Sequence, residues 1–217
     1  MPIERKSIVK SYLLLCEGKD AEIFLINYLE SEALAQDKRF FNDIQVWDFG
    51  GNEELDSFLM NLKNMDGFDK VTSLAIIRDA EKDFAKACCD VTRSLSKSGI
   101  VSPEAYGTWI RDITGLNVGY LLFPLNNGAG TLEDLCLRIL SENNSKDVLL
   151  SIDAFLATME SSNGRNYHRK HKNKLHTYLA SSDEYVSMPL GIASKAGAFN
   201  WNSDYLTPLK SFLTEGF

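Results

Sequence analysis

The strongest constraint on the fold is a regular alternation of apolar and amphipathic segments over roughly the first 140 residues. Four short runs rich in branched and aromatic residues are each followed by a segment with the apolar spacing of a helix. Such alternation is typical of a parallel sheet with helices on both faces. We therefore expect an α/β fold with a central parallel sheet. The predicted strands are 8–16, 44–49, 71–77 and 117–125, and the predicted helices are 20–36, 52–65, 83–97 and 131–141.

The pattern changes near residue 145, where the alternation stops. Residues 148–159 and 167–180 have helical spacing, and a short helix is predicted at the end of the chain. A chain of 217 residues is the length of one domain, or of one domain with an extension. We expect an α/β core over residues 1–144 and a helical extension over residues 145–217 that packs on the same domain.

The charge balance argues against a protein that coats nucleic acid in general. The chain has 30 acidic and 23 basic residues, a net charge of -7, so any nucleic-acid contact requires a local basic patch. No apolar run reaches the ~20 residues that a membrane span needs, and no signal-peptide pattern is present. The four cysteines form no C-x-x-C pair. These features predict a cytoplasmic protein without a membrane partner.

Acidic residues follow three of the four predicted strands. Parallel strands end at one edge of a sheet, where α/β proteins bind ligands, so we expect these acids to converge. Crowded carboxylates repel one another, and a divalent cation removes that repulsion. Oxygen ligands suit Mg²⁺ or Mn²⁺. For each acid alone, a helix cap or a solvated turn is the alternative. The acids are Glu17, Asp20, Asp79, Glu81, Asp83, Glu133 and Asp134.

Two short acidic motifs occur in a specific setting. Glu17-Gly18-Lys19-Asp20 follows one apolar strand, and Asp79-x-Glu81 follows another. In this order and setting they resemble the Toprim domain of topoisomerases, bacterial primases, small ribonucleases and overcoming-lysogenization-defect nucleases. The chain most resembles a family of small stand-alone Toprim-like proteins without an assigned activity. Residues 130–134 and the stretch around Lys174 and Trp201 look like that family too.

The resemblance implies a Toprim-like, Rossmann-like core and a Mg²⁺-dependent nuclease or other phosphodiester-processing enzyme acting on nucleic acid. By analogy it implies a role in phage or mobile-element defence. A homodimer and a partner ATPase both stay open.

The resemblance also implies roles for particular residues. Glu17 is the expected general acid or base, or a metal ligand, and a nearby cation would stabilise the transition state. Glu81 stands where the family usually has Asp, so Asp83 is an alternative ligand. The expected metal ligands are Asp20, Asp79, Glu81, Asp83 and Glu133, and the candidate cations are Lys195 and Lys174.

A basic segment, residues 165–174, carries five formal positive charges and no acid. In an acidic protein such a patch is a candidate contact for a phosphate backbone. The alternative is a solvated helix face, or one that pairs with acids elsewhere. The candidate nucleic-acid-binding residues are Arg165, Arg169, Lys170, Lys172 and Lys174.

Two other functions stay open at this point. In a non-catalytic binding module, the acidic edge holds a structural cation or nothing, and a Glu81 side chain directed away from Asp79 and Glu17 would favour it. In a phosphatase or nucleotide-processing enzyme of another α/β family, Asp79 is the nucleophile and forms a covalent acyl-phosphate.

Overall fold

A five-stranded, mostly parallel sheet forms the centre of the fold. It is seen in a computed structural model that describes residues 7–37, 42–142, 145–164 and 166–217. The strands are β1 (Tyr12–Cys16), β2 (Ile44–Asp48), β3 (Ser73–Asp79), β4 (Trp109–Arg111) and β5 (Asn117–Phe123). Their spatial order is β2-β1-β3-β5-β4, and all pairs are parallel except β4 with β5.

Eight α-helices are present in the described residues, and they surround the sheet. No helix in this part of the chain combines the length and the apolar character needed to cross a membrane. The helices are α1 (Lys19–Glu30), α2 (Leu55–Leu62), α3 (Phe84–Lys97), α4 (Leu132–Glu142), α5 (Lys146–Asn163), α6 (Lys170–Ala180), α7 (Leu190–Lys195) and α8 (Thr207–Gly216).

The sheet is buried on both faces, as its nearly continuous apolar strands predict. Alternate residues of β1 enter different cores: Leu14 packs with α1, α4 and the C-terminal helices, whereas Leu13 packs with α2 and α3. The predicted α/β fold with a central, mainly parallel sheet is therefore confirmed. The four predicted strands are parallel to one another, and the fifth strand, β4, which was not predicted, is antiparallel to β5. A strand of three residues is too short to show a periodic pattern.

The strand order creates a crevice beside the central strand. β1 lies between β2 and β3, so the connections that leave β1 and β3 diverge. In doubly wound sheets, ligands bind where the order reverses in this way, beyond the carboxyl ends of the strands. Glu17 directly follows β1, and Asp79 is the last residue of β3, so both lie at this point.

The last helix is held on the sheet. The Ser73 hydroxyl donates a hydrogen bond to the Gly216 carbonyl (2.8 Å), and the Trp109 indole nitrogen donates one to the Phe212 carbonyl (3.0 Å). The rings of Trp109 and Phe212 stack with their centroids 4.5 Å apart. Part of the C-terminal extension thus packs against strands of the α/β core.

Candidate active site at the carboxyl edge of the sheet

Three elements meet at Asp79. Its backbone N–H donates to Glu17 Oε2 (3.3 Å), which joins the ends of β3 and β1. Its Oδ1 accepts a hydrogen bond from the Leu132 N–H at the start of α4 (2.9 Å). The first N–H groups of a helix lack intrahelical partners, and they stabilise a carboxylate placed there. The sheet and α4 therefore position Asp79 and Glu17 together, as the strand pattern predicted.

Arg78 is the buried cation of this edge. Its side chain is 2% exposed, and Nε lies 3.6 Å from Glu17 Oε2. Nε also donates to the Asp79 carbonyl (3.2 Å). A buried charge is tolerated only when it is paired or hydrogen-bonded. The sequence interpretation did not include Arg78, although a charged residue inside an apolar strand is an unusual signal.

The pKa values of the two central acids are both raised. Burial raises the pKa of Asp79 to about 8, and the carboxylates of Glu17 and Glu133 add to this effect. Burial also raises the pKa of Glu17, although Arg78 opposes the change. At neutral pH the metal-free site therefore keeps a proton on Asp79, since the uncharged form avoids the repulsion.

Glu133 lies in the first turn of α4 and has its own cation. Its Oε1 lies 2.9 Å from Lys172 Nζ, and its Oε2 accepts a hydrogen bond from the Thr131 hydroxyl (2.7 Å). Burial by itself would raise the pKa of Glu133, but Thr131 and Lys172 outweigh it and the pKa is lowered. Burial by itself would lower the pKa of Lys172, but the ion pair with Glu133 outweighs burial and the pKa is raised.

The cation that α6 brings to the acidic edge is thus Lys172. Lys174, one of the two expected candidates, pairs with Asp153 at 2.6 Å. Lys195, the other, is exposed and makes no ion pair with any described residue. Helix periodicity alone does not separate Lys172 from Lys174, because the choice depends on how α6 packs against α4.

Asp20 lies beside the cluster. Its Oδ1 accepts a hydrogen bond from the Gly191 N–H of α7 (2.9 Å). Burial raises the pKa of the Cys136 thiol well above its usual range, and Glu133, Asp20 and Asp79 add to this effect. Three of the acids that the sequence grouped together therefore lie close enough to influence the same buried thiol.

Glu81 and Asp83 are placed differently from the central acids. Glu81 exchanges two backbone hydrogen bonds with Gly130 (2.9 and 2.7 Å), its φ is +56°, and its side chain is exposed. It still contributes to the raised pKa values of Glu17 and Asp79. Asp83 is the N-cap of α3, and its Oδ1 accepts from the Lys86 N–H (2.9 Å). As placed, no three His, Cys, Asp or Glu side chains in the described residues form a joint metal-binding group.

Most of the basic segment is paired with acids. Lys170 contacts Glu160 (2.7 Å), in addition to the pairs of Lys172 and Lys174 described above. The alternative reading of this segment, a face paired with acids, therefore describes three of its lysines. Arg169 has no such pair among the described residues. Arg165 lies outside the described residues.

A cleft of about 680 Å³ lies between this segment and the loops that follow β3 and β5. Arg169, Lys172 and Lys82 line it, together with His171, whose buried Nε2 has no hydrogen-bond partner in the described residues. Glu81, Thr131 and Asp134 line it as well. The cleft thus borders the acidic edge and carries several positive charges.

Comparison with known proteins identifies one family. The chain matches no curated protein and no solved structure. A family model described as "Protein of unknown function (DUF3226)" matches residues 11–217. The match runs from just before β1 to the last residue of the chain. The chain therefore belongs to the DUF3226 family.

Proposed function

We propose that this protein is a divalent-metal-dependent enzyme that processes phosphodiesters in nucleic acid, on a Toprim-like core. The observation that carries the proposal is the environment of Asp79. Its largely buried carboxyl group lies beside Glu17 and Glu133, which raise its pKa to about 8 together with burial. Such an arrangement is costly without a cation, and strongly perturbed acids concentrate at functional sites.

The donor chemistry of the cluster fits Mg²⁺ or Mn²⁺. Mg²⁺ is commonly held by one or two carboxylates, while water and substrate phosphates complete its coordination. Glu17 and Asp79 are the residues we expect to hold it. Glu133 becomes a third ligand only if Lys172 releases Oε1, since both Glu133 oxygens are now engaged.

The residues of the chain have distinct roles in this proposal. Glu17 and Asp79 would hold the metal, which would supply activation of the attacking water and neutralisation of charge on the leaving oxygen. Glu17, whose pKa is raised by burial, is the residue we expect to accept and return a proton. Lys172 is the cation closest to the cluster on the side of the large cleft, where it can stabilise charge that develops on a phosphoryl group.

The large cleft supports nucleic acid as the substrate. Lys82, Arg169 and Lys172 line it next to the carboxylates. A phosphate backbone needs such charges to approach an acidic edge in a chain of net charge -7. Arg169, which lacks an acidic partner in the described residues, is the residue of the basic segment that we expect to contact phosphate most directly.

Two alternatives are weighed against this proposal. In the first, Asp79 forms an acyl-phosphate, which needs the same ionised carboxylate that metal binding needs. A non-catalytic binding module is the second candidate. The exposed Glu81 side chain and the paired lysines favour it.

The test compares Asp79→Asn with Asp83→Asn. Each variant removes one negative charge from an expected ligand, but Asn at residue 83 keeps the helix cap. Calorimetry with Mg²⁺ and Mn²⁺ at pH 8 should show at least tenfold weaker binding for Asp79→Asn and unchanged binding for Asp83→Asn. A tenfold loss corresponds to about 1.4 kcal/mol.

Cleavage of single-stranded DNA, duplex DNA and RNA is then measured with the same two variants. We expect metal-dependent cleavage by the wild type and by Asp83→Asn, and none by Asp79→Asn. Cleavage at the wild-type rate by Asp79→Asn would refute the mechanism. Metal binding without cleavage of any substrate would favour the binding module.

A further inference from the structure

Arg78 has more hydrogen-bonding capacity than its contacts use. A guanidinium carries five N–H donors in a rigid fork. Nε of Arg78 serves Asp79 and Glu17, but the two terminal nitrogens donate to no residue in the part of the chain that the structure describes. These nitrogens are not among the buried unpartnered atoms of the described residues, so they reach the surface, where Arg78 lines a cleft. They are therefore available to a ligand in that cleft.

Arg78 lines a second cleft, of about 230 Å³, on the other side of Glu81 and Lys82 from the large cleft. We name it the Arg78 cleft. Its further lining residues are Asn52, Ala80, Glu81, Lys82, Asp83, Lys86, Ala87 and Asp90.

Three cations and three acids (Glu81, Asp83 and Asp90) line the Arg78 cleft, and an anion would bind beside the cations. Lys82 and Lys86 add two cations to Arg78. Two of the lining acids are already engaged, since Asp83 caps α3 and Asp90 pairs with Arg93 at 2.6 Å. The first turn of α3 forms one wall, and the N-terminus of a helix carries partial positive charge.

The size of the cleft limits what it can hold. Pockets for drug-sized ligands measure roughly 300 to 1,000 Å³. The Arg78 cleft, at about 230 Å³, is smaller and takes a phosphate group rather than a whole nucleotide. A planar guanidinium matches phosphate with two parallel hydrogen bonds.

We propose that the Arg78 cleft binds a phosphate group of the substrate, next to the one processed at Glu17 and Asp79. This inference rests on the proposed function for the identity of the substrate. Because Arg78 contacts both Glu17 and the cleft, the bound phosphate lies beside the acidic cluster. A substrate with one phosphate in the Arg78 cleft and another at Glu17 and Asp79 has at least two linked phosphates. It is therefore a nucleic-acid strand or a nucleotide chain rather than an isolated phosphate ester.

The experiment uses the full-length protein in EDTA, so that it does not depend on metal binding or cleavage. The NMR signal of the Arg78 Nε–Hε group is followed during titration with inorganic phosphate, and then with the dinucleotide pTpT and its unphosphorylated form TpT, at constant ionic strength. The signal is assigned from its loss in Arg78→Lys. We expect a saturable shift with phosphate and with pTpT.

Asn52→Asp is the decisive variant. Asn52 is exposed and lines the same cleft as Arg78, so the substitution adds a carboxylate to the cleft without removing a core residue. We expect it to weaken the binding of phosphate and of pTpT about ten- to a hundredfold, the effect of losing a hydrogen-bonded charge pair. Arg111→Met, which removes an exposed arginine on β4, is the matched control and should bind as the wild type does.

The outcomes separate this inference from the proposed function. No shift of the Arg78 signal, or equal binding by Asn52→Asp and the wild type, would overturn the Arg78 cleft as a phosphate site. No shift with pTpT would overturn its assignment to a substrate strand. Failure of the metal and cleavage tests leaves this measurement unaffected, because it contains no metal.

Discussion

The metal-free protein should lose stability as the pH rises, because Asp79 must then give up its proton. Its pKa is raised from 3.8 to about 8 by burial and by the neighbouring Glu17 and Glu133. A folded-state pKa above the unfolded value means that the native state binds the proton more tightly. The stability that protonated Asp79 contributes is therefore fully present below about pH 4 and is lost progressively up to about pH 8.

The size of the effect follows from the shift. One pKa unit corresponds to about 1.4 kcal/mol, so the full difference between 3.8 and about 8 corresponds to about 6 kcal/mol. Water entry and side-chain relaxation reduce the cost of a buried charge. Between pH 5 and pH 9 we expect the Asp79 contribution to fall by about 2 to 3 kcal/mol, a large part of the ~5 to 15 kcal/mol typical of domains.

Asp79→Asn isolates this contribution, because the amide cannot ionise. We expect urea unfolding in EDTA to show a variant close to the wild type at pH 5 and about 2 to 3 kcal/mol more stable than it at pH 9. Asp153→Asn, which removes a carboxylate that pairs with Lys174 outside the cluster, should follow the wild-type pH dependence. Parallel curves for Asp79→Asn and the wild type between pH 5 and pH 9 would show that Asp79 is ionised throughout, and would refute the reasoning.

Two further predictions concern α8 and α6. Gly216→Ala places a Cβ 1.9 Å from ring atoms of Trp109, so the ring must move; we expect a loss of about 1 to 3 kcal/mol in urea unfolding. Lys172→Met removes the cation that engages Glu133; we expect Mg²⁺ affinity measured by calorimetry to rise about tenfold, because a competing positive charge is lost.

Each of these predictions has a matched control. A Cβ at Gly51 meets no atom within 4 Å, so Gly51→Ala should leave stability nearly unchanged. Lys170 pairs with Glu160, outside the acidic cluster, so Lys170→Met should bind Mg²⁺ as the wild type does. A Gly216→Ala protein as stable as the wild type would contradict the packing argument. Weaker Mg²⁺ binding by Lys172→Met than by the wild type would contradict the charge argument.

Local pattern was sufficient for the main elements of the fold. Buried strands on a parallel sheet are apolar along their whole length, and the covering helices have an apolar stripe, so both periods are visible in the chain. This is why β2, β3 and α3 were predicted within two residues of their observed bounds, whereas β1 begins at Tyr12, four residues later than predicted. The same pattern puts Glu17 and Asp79 at strand ends, and parallel strands end at the same edge. Their proximity therefore followed from the sequence.

Only the tertiary structure decided how charges pair at that edge. Lys172 and Lys174 are two residues apart in one basic segment, and the packing of α6 against α4 brings Lys172 to Glu133 and leaves Lys174 with Asp153. The burial of Arg78 and its unused donors likewise depend on the helices that cover β3. The periodic spacing of apolar residues determines which face a helix or strand buries. Charge partners that are far apart in the chain are selected by how helices and strands pack together, and a local sequence pattern does not contain that information.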